Sequence, residues 1–156
     1  MSAKIKHIWS LIWVAGAIVF LCQAIRWYLT TYVDLPLQVF STTLLEFNLR
    51  YSENRGMNFG LFAADTWVNQ AVLASLALAV CAVLAFVFLR KGRVSYAIAG
   101  GMVVGGGLSN VLERITTGFV FDYVNTPALG FDNPFNYNIA DIFIVLPILW
   151  WALLSD

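Results

Sequence analysis

The sequence predicts an all-α membrane protein, with four transmembrane helices and a small extracytoplasmic β-sheet that forms a cradle. Of its 156 residues, 60% are hydrophobic and 12% are charged, whereas a soluble domain carries about 25% charged residues. The nine basic and nine acidic residues cancel, so the chain lacks the basic surface that binding to nucleic acid requires. The composition therefore indicates a membrane protein with no nucleic-acid partner.

The predicted helices are apolar segments that meet or approach the length of about 20 residues needed to cross a bilayer. The first extends past Arg26, whose side chain can reach the membrane interface beside Trp27. The second and third contain no charged residue, and the fourth is short, with Asp141 near its start. We therefore expect one integral-membrane domain over residues 1–156, with spans at residues 8–29, 67–89, 94–112 and 139–154.

Two basic clusters set the expected orientation. Lys4 and Lys6 precede the first span, and the basic residues of segment 90–93 join the second span to the third. Cytoplasmic flanks of membrane spans are rich in lysine and arginine. We therefore expect both clusters and both termini in the cytoplasm, which makes residues 30–66 and 113–138 the outer segments.

The outer segments have the alternation of short β-strands. Apolar and polar residues alternate from Leu45 to Tyr51, which predicts a half-buried strand. Asn54-Arg55-Gly56 is typical of a turn, and residues 57–60 resume an extended pattern. Residues 119–124 are aromatic and β-branched and predict another strand, which contains Asp122. A small sheet is therefore expected over the outer mouth of the helix bundle.

Small residues inside the spans predict close packing between helices. Gly101 and Gly105 in the third span have the four-residue spacing that lets two helices approach each other in a bilayer. Cys22 and Cys81 lie at different depths of oppositely directed spans, so a disulfide between them is not expected. Both cysteines are interpreted as small packing residues.

Two acidic residues, Asp122 and Asp141, are distinctive because apolar residues flank both of them. Ionisable side chains at membrane depth are costly and are usually functional. Two carboxylates in a site of low dielectric share one proton, so one can deprotonate water while the other polarises a carbonyl group. A structural role is the alternative: either could pair with Arg114, and Asp141 could cap the fourth helix beside Asn138.

Other peptide-cleaving groups are poorly represented. The single histidine, His7, follows Lys4 and Lys6 and is far from any candidate catalytic group, which excludes a histidine-based triad and a multi-histidine metal site. The lysines all fall at the expected cytoplasmic ends, so a serine nucleophile would lack a lysine base. Glu113 is a rival member of the carboxylate pair, but we expect Arg114 to be its partner.

Three motifs resemble those of the lipoprotein signal peptidase family, also called signal peptidase II. Residues 54–60, Asn-Arg-Gly-Met-Asn-Phe-Gly, resemble its Asn-x-Gly-x-x-Phe motif. Residues 105–114 and 118–123 are similar to its block Gly-Gly-x-x-x-Asn-x-x-Asp-Arg and Gly-x-Val-x-Asp-Phe. Residues 138–141, Asn-Ile-Ala-Asp, resemble its Asn-x-Ala-Asp motif. The motifs occur in the family's order, and the resemblance covers essentially the whole chain.

The resemblance implies an aspartic intramembrane endopeptidase of the bacterial inner membrane, with its active site at the outer face. Such an enzyme removes the signal peptide of prolipoproteins by cutting just before a diacylglyceryl-modified cysteine, and it needs no metal or organic cofactor. Expected partners are these substrates and membrane lipids, and a monomer is expected because nothing requires a second subunit. Asp122 and Asp141 take the places of the catalytic pair. Supporting positions are occupied by Asn54, Gly56, Asn110, Arg114 and Asn138.

Some residues depart from the family's pattern. Cys22 stands where a carboxylate is usual, Glu113 replaces the usual Asp before Arg114, and Tyr123 and Tyr137 stand where Phe is common. The missing carboxylate leaves open a second hypothesis, a divergent paralogue that binds lipidated signal-peptide substrates without efficient cleavage. A third hypothesis, a transporter or channel, lacks support because the second span is uncharged and the third offers chiefly glycine.

Overall fold

The computed structural model describes residues 2–42, 44–56, 66–128, 131 and 133–154. Over these residues the chain is mostly helical, with short antiparallel strands between the helices, as the sequence predicted. The helices are α1 (Ala3–Tyr32), α2 (Trp67–Arg90), α3 (Val94–Thr117) and α4 (Ile139–Leu154). The strands are β1 (Leu37–Ser41), β2 (Glu46–Leu49), β3 (Glu53–Asn54), β4 (Val120–Phe121) and β5 (Val124–Asn125).

In the described part of the chain, three helices, α1, α2 and α3, are long and apolar enough to cross a membrane. The fourth, α4, has 16 residues and is therefore about 24 Å long. Two of the long helices have a polar N-cap residue. The Ser2 side chain accepts a hydrogen bond from the Ile5 N–H of α1, and the Thr66 side chain accepts one from the Asn69 N–H of α2. The chain is thus a multi-pass membrane protein.

The third helix continues beyond its predicted end. The apolar run stops at Leu112, but α3 extends to Thr117, so Glu113 and Arg114 belong to the helix and not to the following outer segment. The helix ends at Gly118, which has a φ of 82° and donates its N–H to the Arg114 carbonyl oxygen. Glycine adopts this left-handed conformation without steric cost, which explains where the helix stops.

α3 is the centre of the bundle, and its glycines lie at the contacts with all three other helices. A methyl group added at Gly101 or Gly105 would lie 2.8 Å from a carbonyl oxygen of α1. One added at Gly106 would lie 2.5 Å from the Ala140 carbonyl oxygen of α4, and one added at Gly107 would collide with the Cys81 sulfur of α2. The packing role expected for these glycines is confirmed, and Cys81 is a buried free thiol, as is Cys22.

These contacts also establish the helix directions. Leu11 of α1 lies beside Gly101, and Gln23 lies beside Ser109 farther along α3, so α1 and α3 run parallel. On α4, Ala140 is near Gly106, whereas Trp150 stacks on Tyr96 with ring centroids 5.2 Å apart, so α4 runs antiparallel to α3. The basic turn between α2 and α3 therefore lies at the same end of the bundle as the start of α1.

The opposite end carries two small antiparallel sheets, with strand orders β1-β2-β5 and β3-β4. The predicted strand at residues 119–124 is instead two strands, because β4 pairs with β3 while β5 pairs with β2. Asp122 consequently lies between two strands and not inside one. Strand β1 was not predicted, and the extended stretch predicted at residues 57–60 lies outside the described residues.

The strand predicted at residues 45–51 exists as β2, but its expected polar face is not simply solvent-exposed. Asn48 is buried, whereas Leu45 and Tyr51 at the ends of the predicted strand are exposed. β2 is the middle strand of its sheet, and Asn48 pairs with the fully buried Asn125 of β5. The middle position in the sheet places Asn48 beside β5, a strand that is distant in sequence.

Replacing Gly106 by Ala should destabilise the bundle, because the new methyl group would overlap the α4 backbone. We expect a loss of about 1–3 kcal/mol, measured as the free energy of unfolding in detergent. The matched control is Gly16→Ala in α1, where nothing lies within 4 Å of the added methyl. Equal stability of the two variants would contradict the proposed close contact.

Candidate active site

Asp122 is held at the junction of the outer sheets and the helix bundle. Its backbone N–H donates to the Ser52 carbonyl oxygen at 3.0 Å, which fixes the residue between β4 and β5. Its side chain is buried and accepts two hydrogen bonds, from Asn54 Nδ2 at 2.8 Å and from Asn138 Nδ2 at 2.9 Å. Both carboxylate oxygens of Asp122 therefore have a neutral amide donor.

Asp141 lies in the first turn of α4 and closes a capping box with Asn138. The Asn138 side-chain oxygen accepts from the Asp141 N–H at 3.2 Å, while Asp141 Oδ2 accepts from the Asn138 N–H at 3.0 Å. Asp141 thus has the capping role considered from the sequence. Its other oxygen, Oδ1, accepts from Asn110 Nδ2 of α3 at 3.0 Å, so this carboxylate also faces the centre of the bundle.

The Asn138 amide connects the two carboxylates. Its Nδ2 group donates to Asp122 Oδ1 and also, at 3.1 Å, to the side-chain oxygen of Asn110. Asn110 in turn donates to Asp141, which completes a closed ring of hydrogen bonds through Asn138. The structure therefore brings Asp122, Asp141 and three of the predicted supporting residues into one network.

The other two supporting residues, Gly56 and Arg114, lie at the edge of this network. The Gly56 N–H donates to the Asn54 side-chain oxygen at 3.2 Å, which forms the predicted turn. Arg114 Nη2 donates to the Gly56 carbonyl oxygen at 3.1 Å, and its charge interacts with both aspartates. The ion pairs found in the described ranges do not join Arg114 to either aspartate, so the alternative of a simple Asp–Arg114 pair is not observed.

The surroundings of Asp122 favour the protonated form of its carboxyl group. Burial, followed by the negative charge of Asp141, raises the pKa of Asp122 to about 7, although the hydrogen bonds from Asn54 and Asn138 act in the opposite direction. Near neutral pH the Asp122 carboxyl therefore exchanges between its protonated and ionised forms. Two neighbouring carboxyl groups that carry one proton have both an acid and a base available.

The expected pairing of Glu113 with Arg114 is wrong. Consecutive residues on a helix point in different directions, and Glu113 instead faces Arg26 of α1, with Nε and Oε2 3.5 Å apart. Glu113 Oε2 also accepts from the Phe121 N–H at 2.8 Å. Glu113 therefore ties α3 both to α1 and to the strand that precedes Asp122.

Sequence reasoning did not identify the two buried or half-buried glutamines near the site. Gln23 donates to the Ser109 hydroxyl at 2.9 Å, and Gln70 donates to the Arg55 carbonyl oxygen at 2.7 Å. Each holds a neighbouring element in place. The sequence feature that could have identified these glutamines is a polar amide side chain within an otherwise apolar span.

Among residues 2–42, 44–56, 66–128, 131 and 133–154, no group of three or more His, Cys, Asp or Glu side chains is arranged to hold a metal ion.

Comparison with known proteins identifies the family. Residues 14–155 match the family model described as signal peptidase (SPase) II. The chain belongs to the signal peptidase II family. This membership confirms the resemblance inferred from the three motifs, and with it the expected function of a lipoprotein signal peptidase.

Individual relatives agree with the family assignment. The lipoprotein signal peptidase of Methylobacterium sp. (strain 4-46) is 33% identical over 132 residues, which cover 84% of this chain and 79% of that protein. The lipoprotein signal peptidase of Sphingopyxis alaskensis is 29% identical over 136 residues, which cover 86% of this chain and 78% of that protein.

A solved structure has the same fold. A bacterial membrane enzyme determined by the in meso method at 1.9 Å resolution aligns with a TM-score of 0.71 and 22% identity. The alignment covers 94% of this chain and 93% of that chain. At this identity the likeness concerns the fold, which is therefore shared over nearly the whole length of both chains.

Proposed function

We propose that this signal peptidase II is an aspartic endopeptidase in which Asp122 and Asp141 are the catalytic pair. Its proposed substrates are diacylglyceryl-modified prolipoproteins, cut just before the lipidated cysteine. The observation that carries the proposal is the closed network in which asparagine amides and one backbone N–H hold the buried carboxylate of Asp122 beside the half-buried carboxylate of Asp141. A structural role as helix cap accounts for Asp141 alone and does not explain why Asp122 is buried beside it.

The proposed reaction is a direct attack of water on the scissile peptide bond. The ionised carboxyl group of the pair takes a proton from water, while the protonated one donates to the carbonyl oxygen, giving a tetrahedral diol. A proton then passes to the peptide nitrogen as the C–N bond breaks. The products are a new carboxyl terminus on the signal peptide and a free amino group on the lipidated cysteine.

The supporting residues have distinct proposed roles. Asn54, Asn110 and Asn138 orient the carboxylates and satisfy their oxygens before substrate arrives, so that little reorganisation is needed in the transition state. Arg114 and Gly56 hold the turn next to Asn54. Together they keep the Asn54 amide directed at Asp122.

The substrate is proposed to approach from the outer sheets. A cavity of about 690 Å³ lies among residues of β1, β2 and the segment that follows β2, including Asn48 and Tyr51. It is separate from the carboxylates and would hold the peptide chain beyond the cleavage site. The diacylglyceryl group would remain in the bilayer and hold the scissile bond at the depth of the pair, each buried CH₂ contributing about 0.8 kcal/mol.

We further propose that all four helices of this single domain span the bacterial inner membrane as a monomer, with both termini in the cytoplasm and the site at the outer face. The basic α2–α3 turn and the start of α1 share one end of the bundle, while the carboxylates lie towards the other. Cytoplasmic enrichment of basic residues supports this orientation. The short α4 can span because the Asp141 carboxylate in its first turn is hydrogen-bonded within the protein.

Asp122→Asn and Asp141→Asn should each abolish cleavage while the protein still folds. Asparagine retains size and hydrogen-bonding capacity but cannot carry the exchangeable proton. We expect activity to fall by a factor of about 10²–10⁴, because general acid–base catalysis contributes on that order per group. The measurement is the mass of a diacylglyceryl-modified prolipoprotein before and after incubation with purified enzyme.

The matched control is Asp34→Asn, which changes an exposed carboxylate and should cleave like the parent. Full activity of either site variant would contradict the catalytic pair.

The lipid anchor gives a separate prediction. A precursor with an unmodified cysteine should be cut far more slowly by the parent enzyme, because it lacks that anchor. A parent protein that binds the lipidated precursor without cleaving it would instead support the divergent paralogue.

The proposed topology predicts that the two ends of the bundle react from opposite sides of the membrane. Ser95→Cys at the start of α3 should be protected from an impermeant thiol reagent added outside intact cells, whereas Asn133→Cys should react. Both substitutions are made in a background without Cys22 and Cys81. Equal labelling of the two positions would refute the four-span arrangement.

A further inference from the structure

We propose that Tyr123 is a positioning residue, whose hydroxyl fixes the first turn of α4 and thereby aims the Asp141 carboxylate at Asp122. The inference rests on the proposed function, because it assigns Tyr123 a role through the catalytic pair. Tyr123 Oη accepts a hydrogen bond from the Ile139 N–H at 3.2 Å. Ile139 is the first residue of α4, and Asp141 lies two residues farther along the same turn.

The Ile139 N–H needs an acceptor from outside the helix. The first four N–H groups of an α-helix have no partner within it. In α4, the capping box of Asn138 and Asp141 satisfies the Asp141 N–H, and the Tyr123 hydroxyl satisfies the Ile139 N–H. The two contacts together fix the rotation of the turn that carries Asp141.

Tyr123 also belongs to a set of contacts that joins the Asp122 segment to the Asp141 segment residue by residue. Asp122 accepts from the Asn138 side chain, and Tyr123 accepts from the Ile139 backbone. The next residue, Val124, exchanges two backbone hydrogen bonds with residue 137, at 2.8 and 3.0 Å. These contacts set the distance between the two carboxylates. Among them, the hydrogen bond of the Tyr123 hydroxyl is the one made to a residue of α4 itself.

The environment of Tyr123 suits this role. The side chain is buried with Leu29 and Phe121, and its ring lies 5.3 Å from the Phe121 ring. The ring position is therefore set by packing and does not depend on the hydroxyl. Burial raises the pKa of Tyr123 above its usual range, so the hydroxyl stays neutral across the pH range in which the carboxyl pair exchanges its proton.

The test compares Tyr123→Phe with the matched variant Tyr137→Phe. Both remove one hydroxyl and keep the ring, but the Tyr137 hydroxyl donates to Thr126 at 3.4 Å, whereas the Tyr123 hydroxyl accepts from the first residue of α4. Because an unsatisfied helix N–H loosens the turn, we expect kcat of Tyr123→Phe to fall about three- to tenfold. KM should be unchanged, since the hydroxyl does not contact substrate, and Tyr137→Phe should behave like the parent.

A second substitution removes the same hydrogen bond by changing its donor, Ile139, instead of its acceptor, Tyr123. Ile139→Pro eliminates the donor N–H, and proline is well tolerated at the first position of a helix. In this background, Tyr123→Phe should lower kcat no further. Kinetics are normalised to the folded fraction, measured by thermal unfolding, so that a loss of stability alone does not change kcat.

Three results would overturn the inference while leaving the proposed function intact. They are an unchanged kcat for Tyr123→Phe, an equal loss for Tyr123→Phe and Tyr137→Phe, and an equal loss for Tyr123→Phe with and without Ile139→Pro. The first of these results, if it is accompanied by an increase in KM, indicates that the hydroxyl contacts substrate. Failure of the proposed function is distinguished by a parent enzyme that does not cleave, or by active Asp122→Asn and Asp141→Asn variants.

Discussion

The constraint on which this structure depends is the placement of two neighbouring carboxyl groups, one buried and one half-buried, away from bulk water. A carboxylate in a low-dielectric environment is costly unless its oxygens have hydrogen-bond donors. Here Asp122 and Asp141 receive donors from Asn54, Asn110 and Asn138, which come from an outer strand, the central helix and the cap of the last helix. Neutral amides satisfy the oxygens without fully compensating the charge, and burial together with the negative charge of Asp141 raises the pKa of Asp122 to about 7. The same arrangement that makes the site costly therefore suits it to proposed acid–base chemistry.

The glycine-rich central helix makes this arrangement possible. Gly106 allows α4 to approach α3 closely, and one turn later Asn110 reaches Asp141. On another face, Gly105 brings α1 into contact, and farther along the same pair of helices Glu113 reaches Arg26. Close packing in the apolar half of the bundle thus positions the polar residues at its other end. In a bilayer, where apolar burial gives no net driving force between helices, such close approach contributes van der Waals packing to helix association.

The sequence predicted what depends on local pattern. Uncharged runs located the helices, and the spacing of Asn138 and Asp141 suggested the cap that the structure contains. Contacts between distant segments could not be predicted in the same way. Asn48 is buried because it pairs with Asn125 of β5, and alternation within β2 carries no information about that partner. The partner of Glu113 is an arginine on another helix, whereas proximity in sequence suggested its neighbour. The roles of the predicted catalytic residues remain predictions, although their geometry favours them.

The most direct test of the account is the protonation of the Asp122 carboxyl, measured by infrared spectroscopy of its C=O stretch. The difference spectrum between the parent and Asp122→Asn isolates this group, and is recorded from about pH 5 to about pH 9. We expect a protonated band below neutrality that is lost as the pH rises through about 7. In Asp141→Asn the midpoint should fall, because the negative charge that raises the pKa of Asp122 is gone. A carboxyl already ionised at pH 5, or a midpoint that Asp141→Asn leaves unchanged, would contradict the coupled pair.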